Sequence, residues 1–330
     1  MNLINNTRNQ HFISQAEQRL NASNLSAKPQ KQRIYKFKVD NRETSCVSLT
    51  NRNGVKICNN LSEQDLFSFD VLDEKKDRYN FEELFSQYES QIITHTNSLV
   101  SKLGITNSNI GTEAVEIFKL KIINFLRNPF SVKKVLNTFS SLKDLKPTDE
   151  LHRADFERVL RGRKPQQKYF CEKIGLSDEL YRNWLATIFM TLVNFDESTP
   201  NILESVVENM FRDKEIIVCI HIFYFSDETC VLSDRGFTIS TPTKDSVSWY
   251  FNLCYNAFIR YSFIPLESLD IDKNYPQSTI DSFKNSDNRI LGFVEKDNLH
   301  ELRDFNQGMA YQCHQNIYCS RKKCYGLNVK

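Results

Sequence analysis

The sequence has 330 residues, 40% hydrophobic and 12% aromatic, with 43 Lys and Arg against 41 Asp and Glu and a net charge of +2. That near-balance excludes a global field drawing the chain onto nucleic acid or an acidic membrane, and the aromatic content excludes general disorder. Glycine supplies only nine positions, no two closer than Gly104 and Gly111, so no GxGxxG and no P-loop motif can be written and glycine-built phosphate cradles are excluded.

Length alone allows one to three domains. The first residues, Met1 to Asn9, are polar and carry no apolar signal-peptide core. The longest apolar stretch, 216–225, is interrupted by His221 and falls far short of the roughly 20 residues that span a bilayer. A soluble, cytoplasmic protein with no membrane partner is expected. The nine Cys are odd in number, form no CxxC pair, and mostly occupy strand-like runs (Cys46, Cys58, Cys219, Cys230, Cys254). Reduced, buried thiols fit that usage better than a disulfide framework.

In chain order, Phe12, Ala16 and Leu20 predict a short amphipathic helix over 10–21. Strand-like runs follow at 33–39, 45–50 and 54–58, the last two joined by an Asn51-to-Gly54 turn, so 10–60 holds a helix and a small antiparallel meander. Residues 70–78 read as a charged loop. A helix is expected from Phe81 to Gly104, its stripe built on Leu84, Phe85, Tyr88, Ile92, Leu99 and Leu103. The next runs from Thr112 to Pro129, and helical patterns continue at 131–142, 148–161, 177–194 and 200–212. Strands return over 215–225, 229–232, 236–240, 247–253 and 258–264. A closing helix at 297–314 and a short strand at 317–319 end the pattern. The expected class is α+β. An antiparallel sheet combines the N-terminal meander with C-terminal strands, and the all-helical block 81–212 is inserted between the meander and the β-rich core 214–264. One compact unit or two lobes both fit.

Several stretches stand in an informative order. They are Gln10-His11-Phe12-Ile13-Ser14 through Leu20, Ile34-Tyr35-Lys36-Phe37, Glu89 within its helix, and Leu126-Arg127-Asn128-Pro129. Further on come Val231-Leu232-Ser233-Asp234, Asp304-Phe305-Asn306 and Ile317-Tyr318-Cys319-Ser320. Together they resemble the bacterial family catalogued as domain of unknown function 4238, and the resemblance spans nearly the whole chain as a single family domain, 1–330. Two positions depart from the family pattern, Ser14 and Gly236, where Pro is usual. The resemblance implies recurrent polar positions rather than a reaction. Such proteins look like passengers of mobile elements and defence loci, which implies an antiviral effector.

The polar residues in those stretches are the candidate site. His11 can act as general acid or base, since imidazole titrates near neutrality, or can simply bond its helix start, with Gln15 beside it. Arg127 ends a helix and can meet a phosphate or its own helix carbonyls. Ser233 and Asp234 sit where a strand meets its loop, yet Ser-Asp-Arg-Gly is also good β-turn chemistry. Asn306 faces the core of its helix and is read as support. The basic run Arg153, Arg158, Arg161, Arg163 and Lys164 is either a solvated face or a weak nucleic-acid contact. His221 reads as a satisfied sheet histidine, flanked by Ile220 and Ile222. Cys313, His314, Cys319 and Cys324 lack zinc-knuckle spacing, and Glu74-Lys75-Lys76 sits in a charged loop without strand alternation, so no metal set is assigned. One imidazole, one guanidinium and short hydroxyl and carboxyl groups suit metal-independent phosphodiester or nucleotide chemistry, without a cofactor. The alternative is a non-catalytic interaction or sensor module serving a neighbouring gene product. Nucleic acid, a nucleotide and a protein partner all stay open.

Overall fold

The computed structural model describes residues 2–72, 77–105, 109–196, 199–240, 246–269 and 289–330. In the front part, strand β1 (Asn9–His11) precedes helix α1 (Gln15–Leu20) and strands β2 (Arg33–Asn41), β3 (Cys46–Leu49), β4 (Val55–Lys56), β5 (Ser62–Gln64), β6 (Asp70–Leu72) and β7 (Asp77–Tyr79). Seven helices follow: α2 (Glu82–Lys102), α3 (Gly111–Arg127), α4 (Val132–Thr138), α5 (Glu150–Arg161), α6 (Gln167–Ile174), α7 (Asp178–Leu192) and α8 (Ile202–Arg212). The last part holds β8 (Ile216–Tyr224), β9 (Leu232–Ser233), β10 (Thr238–Ile239), β11 (Val247–Cys254), β12 (Ala257–Pro265), α9 (Leu266–Leu269), β13 (Ile290–Lys296), α10 (Leu299–Gln312), β14 (Asn316–Cys319) and β15 (Asn328–Val329). The class is α+β, with the expected helical block between two β-rich regions. Among the described residues no helix is long and apolar enough to cross a membrane.

The chain divides into two compact units. The first comprises Met1–Ala16, Asn59–Ile92 and Lys119–Val206. Its helices follow local signals. Ser177 caps α7, its side chain accepting from the Leu180 amide, and Gly175 closes α6 in the left-handed conformation. Tyr181 and Trp184 of α7 are wholly buried, and each finds a partner for its polar tip. Tyr181 donates to the Leu66 carbonyl at 2.7 Å and Trp184 to the Leu126 carbonyl at 2.8 Å. Phe67 packs tilted against Trp184, and Phe85 lies edge-on to both Phe67 and Phe81.

This unit corrects two expectations. Residues 10–14 are not helical: β1 pairs antiparallel with β5, His11 opposite Ser62, and α1 begins at Gln15. The Gln10 side chain accepts from the Phe67 amide at 2.5 Å and donates to Ser68 Oγ at 3.1 Å, bonds that hold this segment extended. Residues 70–72 and 77–79 form a paired ladder rather than a plain loop. Glu74-Lys75-Lys76 lies outside the described residues.

The second unit comprises Glu17–Cys58, Ile93–Phe118 and Val207–Lys330. Its six-stranded sheet has the order β15-β3-β2-β14-β9 and joins N-terminal to C-terminal strands as expected, but β4 pairs with β2 and not with β3, so the turn from Asn51 to Gly54 does not close the expected hairpin. The long strands of 216–265 form a separate five-stranded sheet, β10-β11-β12-β8-β13. Most pairs are antiparallel, but β13 runs parallel to β8 and β15 parallel to β3. Against one face of the five-stranded sheet packs Phe118 of α3, edge-on to Phe251, Tyr261 and Phe263. Tyr261 donates to the Ala114 carbonyl at 2.7 Å, which satisfies a hydroxyl that burial would otherwise penalise. At one end of the other face, Phe258 stacks on Phe305 of α10 with ring centroids 4.2 Å apart.

Candidate functional site

The sequence-predicted residues fall in both units. His11, Gln15 and Arg127 belong to the first, Ser233, Asp234 and Asn306 to the second. In the first unit, His11 is buried at 7% exposure on β1, and Gln15 is half-buried at the start of α1. Arg127 ends α3 with 1% exposure. It does not cap its own helix carbonyls. It donates to Glu89 Oε1 at 2.5 Å and to Asn124 Oδ1 at 2.9 Å, and its guanidinium lies 5.0 Å from the centre of the Phe85 ring. Both acceptors and the ring come from α2 and α3.

In the second unit each of the three polar candidates is engaged by backbone groups. Asp234 Oδ1 accepts from the His314 amide at 2.6 Å, and Oδ2 accepts from the Gln315 and Asn316 amides at 2.8 Å each. Burial pushes this carboxyl up from the usual carboxylate range, and the three backbone donors pull it back down. Ser233 Oγ accepts from the Gly236 amide at 3.1 Å, and the Ser233 carbonyl accepts from the same amide at 3.0 Å. The four residues Ser233 to Gly236 are therefore a β-turn, with Gly236 at φ +86°. Asn306 Oδ1 accepts from the Val231 amide, while its amide donates to the carbonyls of Thr229 and Tyr325. It clamps α10 to two chain segments through its carbonyl oxygen and both amide hydrogens. These are positioning contacts made by groups at 2% exposure or less.

The basic run is engaged piecemeal. Arg153 donates to the Pro147 and Thr148 carbonyls, Arg158 lies over the Tyr79 ring, and Arg161 pairs with Glu157 one turn away. Lys164 donates to the Gly162 carbonyl, and burial lowers its ammonium to about 8. Arg163 is exposed, and its carbonyl accepts from Val71. Among the described residues no group of three His, Cys, Asp or Glu side chains is placed to hold a metal ion.

Three features escaped the sequence reading. The first is Glu82, at the start of α2. Burial raises its carboxyl to about 7, the Arg127 charge opposing and the Glu89 charge adding. Its buried Oε1 has no hydrogen-bond partner in the structure. A carboxyl that titrates near neutrality beside a guanidinium has the electrostatics of an acid–base group. The second is how far His221 is tied in. The row Tyr250, Arg260, His221 and Phe293 crosses four strands in register. Arg260 donates to His221 Nδ1 at 2.9 Å, and His221 Nε2 lies 3.5 Å from Glu295 Oε2. The expected satisfied sheet histidine is what the structure contains. The third is β13, which no periodicity announced. It is a seven-residue strand at the end of the five-stranded sheet, with Phe293 46% and Val294 42% exposed.

No protein-family model matches the chain, and neither a curated protein nor a solved structure matches it.

Proposed function

We propose that the chain is a non-catalytic interaction module that takes an extended segment of a protein partner along β13. The observation that carries this reading is the state of that strand. It pairs with β8 on one side, and no described strand pairs with its other side. An open ladder of amides and carbonyls is a template for strand addition, and natural edge strands are usually short or charged to prevent it. β13 is seven residues long and exposes Phe293 and Val294, its charged residues, Glu295 and Lys296, being confined to its last two positions. The commitments of Asp234, Ser233 and Asn306 support the same reading, since their polar atoms serve the fold. The resemblance to domain of unknown function 4238 adds the context, a product of mobile elements or defence loci whose partner is encoded beside it.

A second reading keeps metal-independent phosphodiester or nuclease chemistry in an antiviral effector. Glu82 favours it, as a carboxyl poised near neutrality beside the Arg127 guanidinium. Against it stands the burial of Arg127 in contacts with Glu89 and Asn124.

Co-expression with the neighbouring gene product separates the two. The interaction reading expects a stoichiometric complex with the wild-type chain and its loss in Phe293→Asp/Val294→Lys, at unchanged melting temperature. A complex that survives those substitutions sinks it. RNA or DNA degradation by the purified chain, abolished by Glu82→Gln or His11→Ala, would establish the second reading instead.

A further inference from the structure

The helices of the first unit enclose a pocket of about 420 Å³. One wall is the chain from Leu136 to Lys146, a second is Phe156 and Leu160 of α5, and the third is the stretch of α7 from Glu179 to Met190. That volume lies within the range of small-molecule sites, which are mostly apolar with a few polar groups to orient the ligand. The lining has this character. Leu142, Phe156 and Met190 are buried apolar side chains, and the half-buried amide of Asn183 and the hydroxyl of Thr187 lie among them.

The charges are unevenly placed. Lys143 and Lys146 both stand on the first wall, three residues apart, against the single carboxylate of Glu179 on α7. No ion pair joins either lysine to a described carboxylate. Lysine stems can lie along apolar surface while the ammonium stays at the mouth, so an entering anion meets charge without having to desolvate it deep inside.

We propose that this pocket binds an amphipathic monocarboxylate, its aliphatic body in the apolar interior and its carboxylate at Lys143 and Lys146. A cationic amphiphile of the same length has the same body to bury but meets two ammonium groups. The site lies apart in sequence from β13 and does not depend on the reading of that strand.

Calorimetric titration of the full chain tests it, with dodecanoate and dodecyltrimethylammonium as probes below their micelle concentrations. Wild type should bind one dodecanoate saturably and at least tenfold more tightly than the ammonium probe. Lys143→Glu/Lys146→Glu, both exposed positions, should reverse that order. Ala186→Trp, which fills the pocket from α7, should weaken dodecanoate at least tenfold. Absence of saturable dodecanoate binding to wild type overturns the proposal. So does a charge preference unmoved by the lysine substitutions, which stands even if Ala186→Trp fails to fold.

Discussion

Arg127 Nη1 donates to Glu89 Oε1 at 2.5 Å, from a guanidinium side chain that is 1% exposed to a carboxylate that is 29% exposed. A charge so buried stabilises little in net terms, but leaving its partner alone is costly. Arg127→Met should therefore lower unfolding free energy by about 2–4 kcal/mol, and Arg127→Met/Glu89→Gln should recover much of that loss. Urea titration of the two variants and Glu89→Gln closes the cycle. Additive losses would show that the pair is not coupled.

Asp234 should behave as a backbone clamp. Asp234→Ala leaves the amides of His314, Gln315 and Asn316 without their carboxylate. A loss of about 2–4 kcal/mol is expected, less in Asp234→Asn, which keeps one acceptor oxygen. Hydrogen exchange at those three amides should speed up selectively. Unchanged protection in Asp234→Ala would contradict the role.

Glu82 makes a pH signature. Its carboxyl is raised to about 7 by burial, against 4.5 unperturbed. A raised carboxyl contributes stability below the unfolded value and loses it as pH climbs through the folded one, so the loss falls between about pH 4.5 and 7. At ~1.4 kcal/mol per pKa unit the effect is at most about 3.5 kcal/mol. The wild-type minus Glu82→Gln difference in melting temperature should follow this course. A difference that stays flat across that interval would remove Glu82 from the account.

His221 acts in the opposite direction. Burial and the Arg260 charge lower its imidazole below 6.5, with Glu295 opposing. A lowered histidine contributes stability in full above the unfolded value, and that stability is lost as pH falls below 6.5 toward the folded value. Arg260 already donates to Nδ1, so protonation there would set donor against donor. Ring-proton NMR should report a midpoint below 6.5, moving upward in Arg260→Gln. A midpoint above 6.5 in wild type would reverse the assignment.

Two glycines should differ in kind. A Cβ at Gly162 would stand 2.3 Å from the Phe69 carbonyl oxygen and 2.6 Å from that of Arg158, so both backbones would have to move. Gly175, at φ +66°, has open space around it. Gly162→Ala should cost about 1–3 kcal/mol or more through overpacking, and Gly175→Ala about 1 kcal/mol through its left-handed conformation. Denaturant midpoints of the two variants check the order.

Much of the fold was legible because its elements repeat their own signals. The stripe Leu84, Phe85, Tyr88, Ile92 and Leu99 announced α2, and β-rich apolar runs bounded by turn residues announced β8, β11 and β12. The turn at Ser233 and the bridging of Asn306 followed from local chemistry, since an Asp-Arg-Gly sequence and a core-facing amide each admit few arrangements. The short strands β1, β6 and β7 were not legible. Three residues carry no usable period, and what makes them extended is pairing with a strand elsewhere in the chain. β13 was missed although it has seven residues, because its exposed Phe293 and Val294 break the alternation that marks a half-buried strand.

The candidate site divides along the same line. By itself the sequence determined which residues were polar within apolar surroundings, and it excluded glycine-cradled nucleotide chemistry. What those residues touch is set by packing between distant segments. Asp234 takes three amides from a segment eighty residues away, and Arg127 takes a carboxylate from the preceding helix. Glu82 reads as an ordinary first-turn carboxylate until the packing around it removes water and moves its titration to neutrality. Hydrogen-bond partners and desolvation are properties of neighbours brought together by folding, and no local pattern encodes them.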